Sequence, residues 1–342
     1  MDSLTQVVLG ASVGEAVLGK KVGNRAPLWG AVCGTIPDLD VLANFFTGEL
    51  NAMVMHRGFT HSFLFSFIAA PAIGFLIHKI YKEKWGSRKE WSFLAFWALF
   101  THPLLDCFTT WGTQFFYPFS NYRVAFNTIF VVDPLYTIPF LICIMVVLFL
   151  HREHKWRRVW NKWGLILSSF YLVITVTNKF VAEAVFTNSL HNQGKSVVRL
   201  STYPSPFNSI LWYSIAEEPY GFDIGYYSLF SSNQNVSFTY IPKNHNLIEE
   251  AKKENNRVVE KMEWMTKGFY VLEEQDSTIL WRDLRFGILN GMDQPLQKPQ
   301  YVFTYKLVKE NGEFVDIRQV RPDNEALNSE YFGKFWRKIW GD

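Results

Sequence analysis

The chain has 342 residues, a formal net charge of +3 and three cysteines. A balance so near neutral argues against nucleic acid as a partner, and three cysteines exclude a disulfide-built scaffold. The mean hydropathy near zero averages two unlike parts: residues 1–186 carry long apolar runs, whereas residues 187–342 are mixed and polar.

The expected fold is a polytopic α-helical membrane domain of about five to six helices over residues 1–186. An α+β domain on the outer face follows over residues 187–342. The opening stretch MDSLTQVVLGASVGEAVLGKK lacks the basic start of a signal peptide, and Glu15 interrupts its apolar part. A span takes about 20 mostly apolar residues. Apolar segments near 4–18, 26–46, 61–79, 91–109, 128–150 and 163–186 are the helix candidates, with Trp and Tyr recurring at their ends.

The loops alternate in charge. GKKVGNR, KIYKEKWGSRKE and HREHKWRRVWNKW follow the first, third and fifth segments, while the loops between them offer only Arg57 and Arg123 as cations. The positive-inside rule places the basic loops in the cytoplasm and residues 187–342 outside.

Ionisable groups inside such segments each cost on the order of 2.5–3.5 kcal/mol, so their positions carry information. The second segment holds Asp38 and Asp40 in IPDLD. The third is preceded by HRGFTH, with His56, Arg57 and His61. The fourth holds His102 and Asp106 in THPLLD, and the fifth opens on Asp133 in VVDPLY. Under this orientation all of them come to the outer side.

His102 and Asp106 are four apart and share one helix face. Imidazole and carboxylate suit Zn, and also Mn or Fe. The whole set exceeds one tetrahedral site and is compatible with one ion or with a two-metal centre. Each motif also has a plain structural reading. IPDLD suits a turn and cap, HRGFTHS an interfacial loop, and THPLLD a buried hydrogen-bonded pair. Asp133 before Pro134 suits a helix cap. Asp133 therefore joins Asp2, Gln6 and Glu15 in a second tier, and the other histidines are bystanders.

The C-terminal part predicts strands in STYPSPFNSILWYSI, GFDIGYYSLF, KGFYVLEEQDSTILWRDLRFG and QYVFTYKLVKENGEFVDIRQV, with a hairpin turn at NGEF. LIEEAKKENNRVVEKMEWM predicts an amphipathic helix. NSEYFGKFWRKIWGD suits a helix lying on a membrane surface or packed on its own sheet.

The pieces MDSLTQVVLGASVGEAVLG, GTIPDLD, HRGFTHS, HPLLDCFTTWGTQ and FVVDPLYT, in this order over about residues 1–140, together resemble the YdjM-like family of inner-membrane proteins described as metal-dependent hydrolases. The resemblance implies a bacterial inner-membrane protein with a helical metal-binding core and points to Asp38, His56, His61, His102 and Asp106. A more distant likeness is to zinc-dependent phospholipase C and nuclease-like helical domains. Some YdjM-like sequences carry a histidine in the first turn, where this chain has Gln6, with Asp2 nearby.

The expected function is a membrane-embedded metal hydrolase opening outward, with a phosphoester of a lipid or lipid-linked molecule as substrate and the bilayer as partner. Asp38, His61, His102 and Asp106 are the expected ligands. Asp40 or His56 serves as a further ligand or general base, and Arg57 holds a phosphate oxygen or orients a carboxylate. The alternatives are a transporter or ion-handling protein, whose polar groups would run through the full membrane depth, and a receptor or structural protein with a structural metal.

Overall fold

The computed structural model describes residues 1–254, 256–291, 299–321 and 329–341. Two compact units emerge. One comprises Met1–Ala43, Met55–Thr175 and Pro206–Asn208; the other comprises Asn44–Val54, Val176–Ser205 and Ser209–Asp342. In chain order the helices are α1 (Ser3–Val22), α2 (Arg25–Thr35), α3 (Glu49–Met55), α4 (Phe63–Tyr81), α5 (Arg88–Asp106), α6 (Pro134–Phe149) and α7 (Lys155–Asn192). A 3-10 stretch, Ile36–Phe45, continues α2.

Local chemistry sets where these helices start. Asp2 accepts the Thr5 N–H at α1, and Ser62 accepts the Phe65 N–H at α4. Ser87 and Glu90 form a reciprocal capping box at α5. At α6, Asp133 caps Leu135 and Tyr136 while Pro134 takes the first helical position.

Every apolar segment expected from the sequence contains a helix, but five to six membrane-crossing helices are not supported. Among the described residues two helical stretches, Phe63–Trp85 and Lys155–Asn192, are long and apolar enough to cross, with Pro134–Phe149 as a shorter apolar helix. The reasons lie in the other segments. α2 gives way to 3-10 geometry after 11 residues, and α5 carries Arg88, Lys89, Glu90, His102 and Asp106. α7 also starts well before the expected residue 163. Only 22% and 17% of the most apolar windows of the two long stretches are buried, so these are not the core helices of a water-soluble fold.

The first unit is built on a close contact between α1 and α2. A methyl group added at Gly30 would lie 2.1 Å from the Gly10 carbonyl oxygen, and one at Gly14 would lie 2.3 Å from that of Ala26. Gly10, Gly14, Ala26, Gly30 and Gly34 follow the four-residue spacing with which small residues let helix backbones touch. Leu105, Tyr136, Phe140, Ile144 and Val147 pack with Val8 and Ala11 in the same unit.

The second unit holds two four-stranded antiparallel meanders. The first is β1 (Arg199–Pro204), β2 (Leu211–Glu217), β3 (Gly221–Ser228) and β4 (Phe238–Pro242). The second is β5 (Tyr270–Gln275), β6 (Thr278–Ile288), β7 (Tyr301–Glu310) and β8 (Glu313–Val320). Asn311 and Gly312, both at positive φ, make the β7–β8 turn that NGEF predicts. Strand alternation sends Val271 toward Ile215, Phe222 and Ile224 of the first sheet. Tyr270 and Leu272 point the other way, toward Val258, Val259, Met262 and Leu50 of α3.

The stretch expected as one amphipathic helix is two, α8 (Glu249–Lys253) and α9 (Arg257–Thr266). Asn256 breaks it by capping Val258 and Val259. Asn255 lies outside the described residues, as do Asn328 and Asp342 of the terminal segment. The terminal helix α10 (Ser329–Ile339) buries Phe335 and Ile339 against Leu211, while Phe332, Trp336 and Trp340 stay exposed.

Candidate metal centre

Three segments of the first unit deliver four side chains to one point. The 3-10 stretch brings Asp38, the turn before α4 brings His61, and the last turn of α5 brings His102 and Asp106. One ligand atom from each lies within 4.8 Å of all the others, a group able to hold a metal ion. Asp38 Oδ1 is 3.4 Å from both His61 Nε2 and His102 Nε2. Asp106 Oδ2 is 3.4 Å from His61 Nε2 and 3.6 Å from His102 Nε2. The two Nε2 atoms are 3.1 Å apart. Nitrogen and oxygen ligands about 2.0–2.1 Å from a tetrahedral ion sit about 3.4 Å from one another. Five of the six edges of the cluster therefore fit a single tetrahedral site.

The surrounding hydrogen bonds aim the ligand atoms inward. His102 Nδ1 donates to the Gly34 carbonyl at 2.6 Å, which leaves the lone pair on Nε2. That carbonyl belongs to α2, which packs against α5. His61 Nδ1 faces Asp40 Oδ2 at 3.3 Å, the carboxylate–histidine pairing common behind metal ligands. Asp106 Oδ2 is buried beside the Arg57 guanidinium but accepts no hydrogen bond within the usual geometry, which leaves a lone pair that a bound cation could take.

Asp40 and His56 stand one layer further out. Asp40 accepts from His56 Nδ1 at 2.9 Å and from the Arg57 N–H at 2.8 Å. The second of these bonds holds Arg57 at φ 58°, in the left-handed region. His56 also packs edge-on to His61 and Trp111. Burial disfavours the charged ring of His56 more than Asp40 favours it, so its pKa falls below the usual imidazole value.

Arg57 is buried, with Nε 3.1 Å from Asp106 Oδ2 and Nη1 donating to Thr109 Oγ1 at 2.7 Å. Its guanidinium lies against the Asp106 carboxylate. Gln6 Nε2 donates to Asp106 Oδ1 at 2.9 Å, and the Met1 nitrogen contacts the same oxygen. Of the four candidate ligand side chains only Asp38 is open, 20% exposed against 0% for the others, so access to the cluster runs past Asp38.

The remaining second-tier residues lie elsewhere. Glu15 forms a two-pronged buried pair with Arg157 at 2.7 and 2.6 Å. Asp133 caps α6 and accepts from Tyr171 Oη, and Asp2 caps α1. Sequence reasoning missed the Gly34 carbonyl and Thr109. The repeated small residues of α1 and α2 were the available signal for the first; nothing in the chain singles out Thr109.

The profile of the YdjM inner membrane protein family matches residues 1–182, and the four clustered side chains and their partners all fall within that stretch. The chain belongs to this family. It is 32% identical over 163 residues to the uncharacterized protein YfhP of Bacillus subtilis (strain 168), covering 43% of this chain and 46% of YfhP. It is 30% identical over 122 residues to the inner membrane protein YbcI of Escherichia coli (strain K12), covering 35% of this chain and 69% of YbcI. The chain thus spans less than half the length of YfhP. No solved structure matches.

Proposed function

We propose that the protein is a multi-pass bacterial inner-membrane hydrolase that uses one divalent metal ion on a phosphoester of a lipid or lipid-linked molecule. The observation that carries this reading is the tetrahedral set Asp38, His61, His102 and Asp106, with the Asp40–His56 pair directly behind it. Zinc suits two imidazoles and two carboxylates, with manganese or iron as the alternatives. When bound, the ion supplies Lewis acidity to a phosphoryl oxygen and acidifies a bound water.

The chain's own residues do the rest. Asp40 holds the Nδ1 proton of His56, so Nε2 of the neutral ring is left to take a proton as general base. Arg57 and Gln6 hold Asp106 in place. A polar path through the bundle, as a transporter needs, finds no continuation at Glu15, which is already paired with Arg157.

The substrate class rests on the loop beside HRGFTH. Gln114 N–H donates to the Arg57 carbonyl, and Phe63 N–H to that of Phe115. The hairpin bridged at Thr113 and Val124 exposes Phe116, Phe119 and Tyr122. Exposed aromatic groups of this kind favour the membrane–water interface. The cationic end of α4 (Lys79, Lys82) and the cationic start of α7 (Lys155, Arg158) orient both helices by the positive-inside rule. The end of α7 and the chain beyond it then lie outside the cytoplasm.

The test is phosphate release from phosphatidic acid and from a polyprenyl diphosphate by the full chain in proteoliposomes. Activity should disappear with a membrane-permeant chelator and return with metal. His56→Ala should lower kcat by about 10²–10⁴-fold with metal content unchanged. Purified protein without stoichiometric metal, or turnover indifferent to both chelator and His56→Ala, would refute the proposal.

A further inference from the structure

A groove of about 770 Å³ opens at the opposite end of the first unit, between the ends of α1, α5 and α7. Glu90, on its rim, is sixteen residues from Asp106 along α5. At 1.5 Å per residue that is about 24 Å, close to the roughly 30 Å of a hydrocarbon core. The metal cluster and the groove thus sit about one bilayer core apart.

The floor of the groove is apolar, lined by Leu18, Leu165 and Ile166, and Lys20, Lys21, Arg158 and Lys162 surround it. Both acids in the lining are already neutralised: Lys21 pairs with Glu90 at 2.7 Å, and Arg157 takes both oxygens of Glu15. Among the described residues Lys20, Arg158 and Lys162 make no ion pair or side-chain hydrogen bond, and all three are exposed. Three uncommitted cations over an apolar floor match the two parts of an anionic lipid, a phosphate head above acyl chains.

We infer that this groove binds an anionic phospholipid of the cytoplasmic leaflet, with Lys20, Arg158 and Lys162 on the headgroup phosphate and an acyl chain along Leu165 and Ile166. The inference uses the membrane orientation proposed above but not the hydrolytic activity. A lipid here would tie the starts of α5 and α7 to α1.

The experiment is native mass spectrometry of the full chain, titrated in detergent with phosphatidylglycerol or phosphatidylcholine. Phosphatidylglycerol should bind at least tenfold more tightly. The triple variant Lys20→Gln, Arg158→Gln, Lys162→Gln should lose about fivefold in affinity per cation, about a hundredfold in all. Restoring charge with Arg158→Lys in that background should recover about fivefold. A control triple, Lys79→Gln, Lys82→Gln, Lys84→Gln, removes equal charge from the end of α4 and should bind like wild type. The inference is overturned by equal binding of the two lipids, by equal losses in the two triples, or by inorganic phosphate at millimolar concentration displacing the lipid. Melting temperatures of the variants within a few degrees of wild type separate loss of the site from loss of the fold.

Discussion

Replacing His102 by alanine removes one corner of the proposed tetrahedron and three of its edges, at 3.1, 3.4 and 3.6 Å. Even residues behind a metal ligand cost 10- to 100-fold in metal affinity when changed, so loss of a ligand should cost more than about 100-fold. The same substitution leaves the Gly34 carbonyl without its 2.6 Å donor in a fully buried place, which costs about 1–3 kcal/mol with or without metal. These two effects separate in a melting experiment on detergent-solubilised protein. With chelator, His102→Ala should be less stable than wild type by that 1–3 kcal/mol. With zinc at about 100 times the wild-type Kd, wild type should gain about 2.7 kcal/mol and the variant almost nothing. A variant that gains as much as wild type would show that His102 is not a ligand, and the single-ion reading of the cluster would fail with it.

Three other outcomes follow from the geometry. Gly30→Ala puts a methyl group 2.1 Å from the Gly10 carbonyl oxygen; the strain should cost about 1–3 kcal/mol and lower metal affinity by moving Gly34, both read by melting with and without zinc. Arg157→Met leaves Glu15 charged and unpaired where both side chains are 2% exposed, a loss of about 3–5 kcal/mol, and adding Glu15→Leu should recover most of it in denaturation measurements. His245 in the second unit is held below the usual imidazole pKa by burial, and it stacks on Tyr270 at 4.0 Å. The unfolded chain therefore binds its proton first as pH falls, so stability from this group is complete above about pH 6.5 and is lost below it; His245→Gln should flatten the pH dependence of melting between pH 7 and 5.

The motifs IPDLD, HRGFTH and THPLLD were legible as chemistry because ionisable groups are expensive in apolar segments, and so their presence needs a reason. Their convergence was legible only through the direction of the helices. The number of membrane-crossing helices was not. An apolar run looks the same whether it faces lipid or another helix, and α1 and α2 spend their small residues on each other. Glu15 shows the same limit: a carboxylate in an apolar segment reads as a site residue until Arg157, far along the chain, is found on both its oxygens. Asp133 was readable as a cap because its evidence, Pro134, is its neighbour.

By itself the sequence determined what is local. Helix starts at Ser62, Ser87 and Asp133 depend on side chains within three residues; the Asn311–Gly312 turn depends on two residues that accept positive φ; and the candidacy of the four clustered side chains as ligands depends on residue type alone. Tertiary structure decided which polar groups meet in the candidate metal cluster and which stand behind it. Asp38 and Asp40 are two residues apart and chemically identical, yet Asp38 faces both histidine Nε2 atoms while Asp40 faces His61 Nδ1 and His56. The difference comes from the opposite edges of one imidazole ring, whose direction is set by the α4 turn and by helices packed from distant parts of the chain.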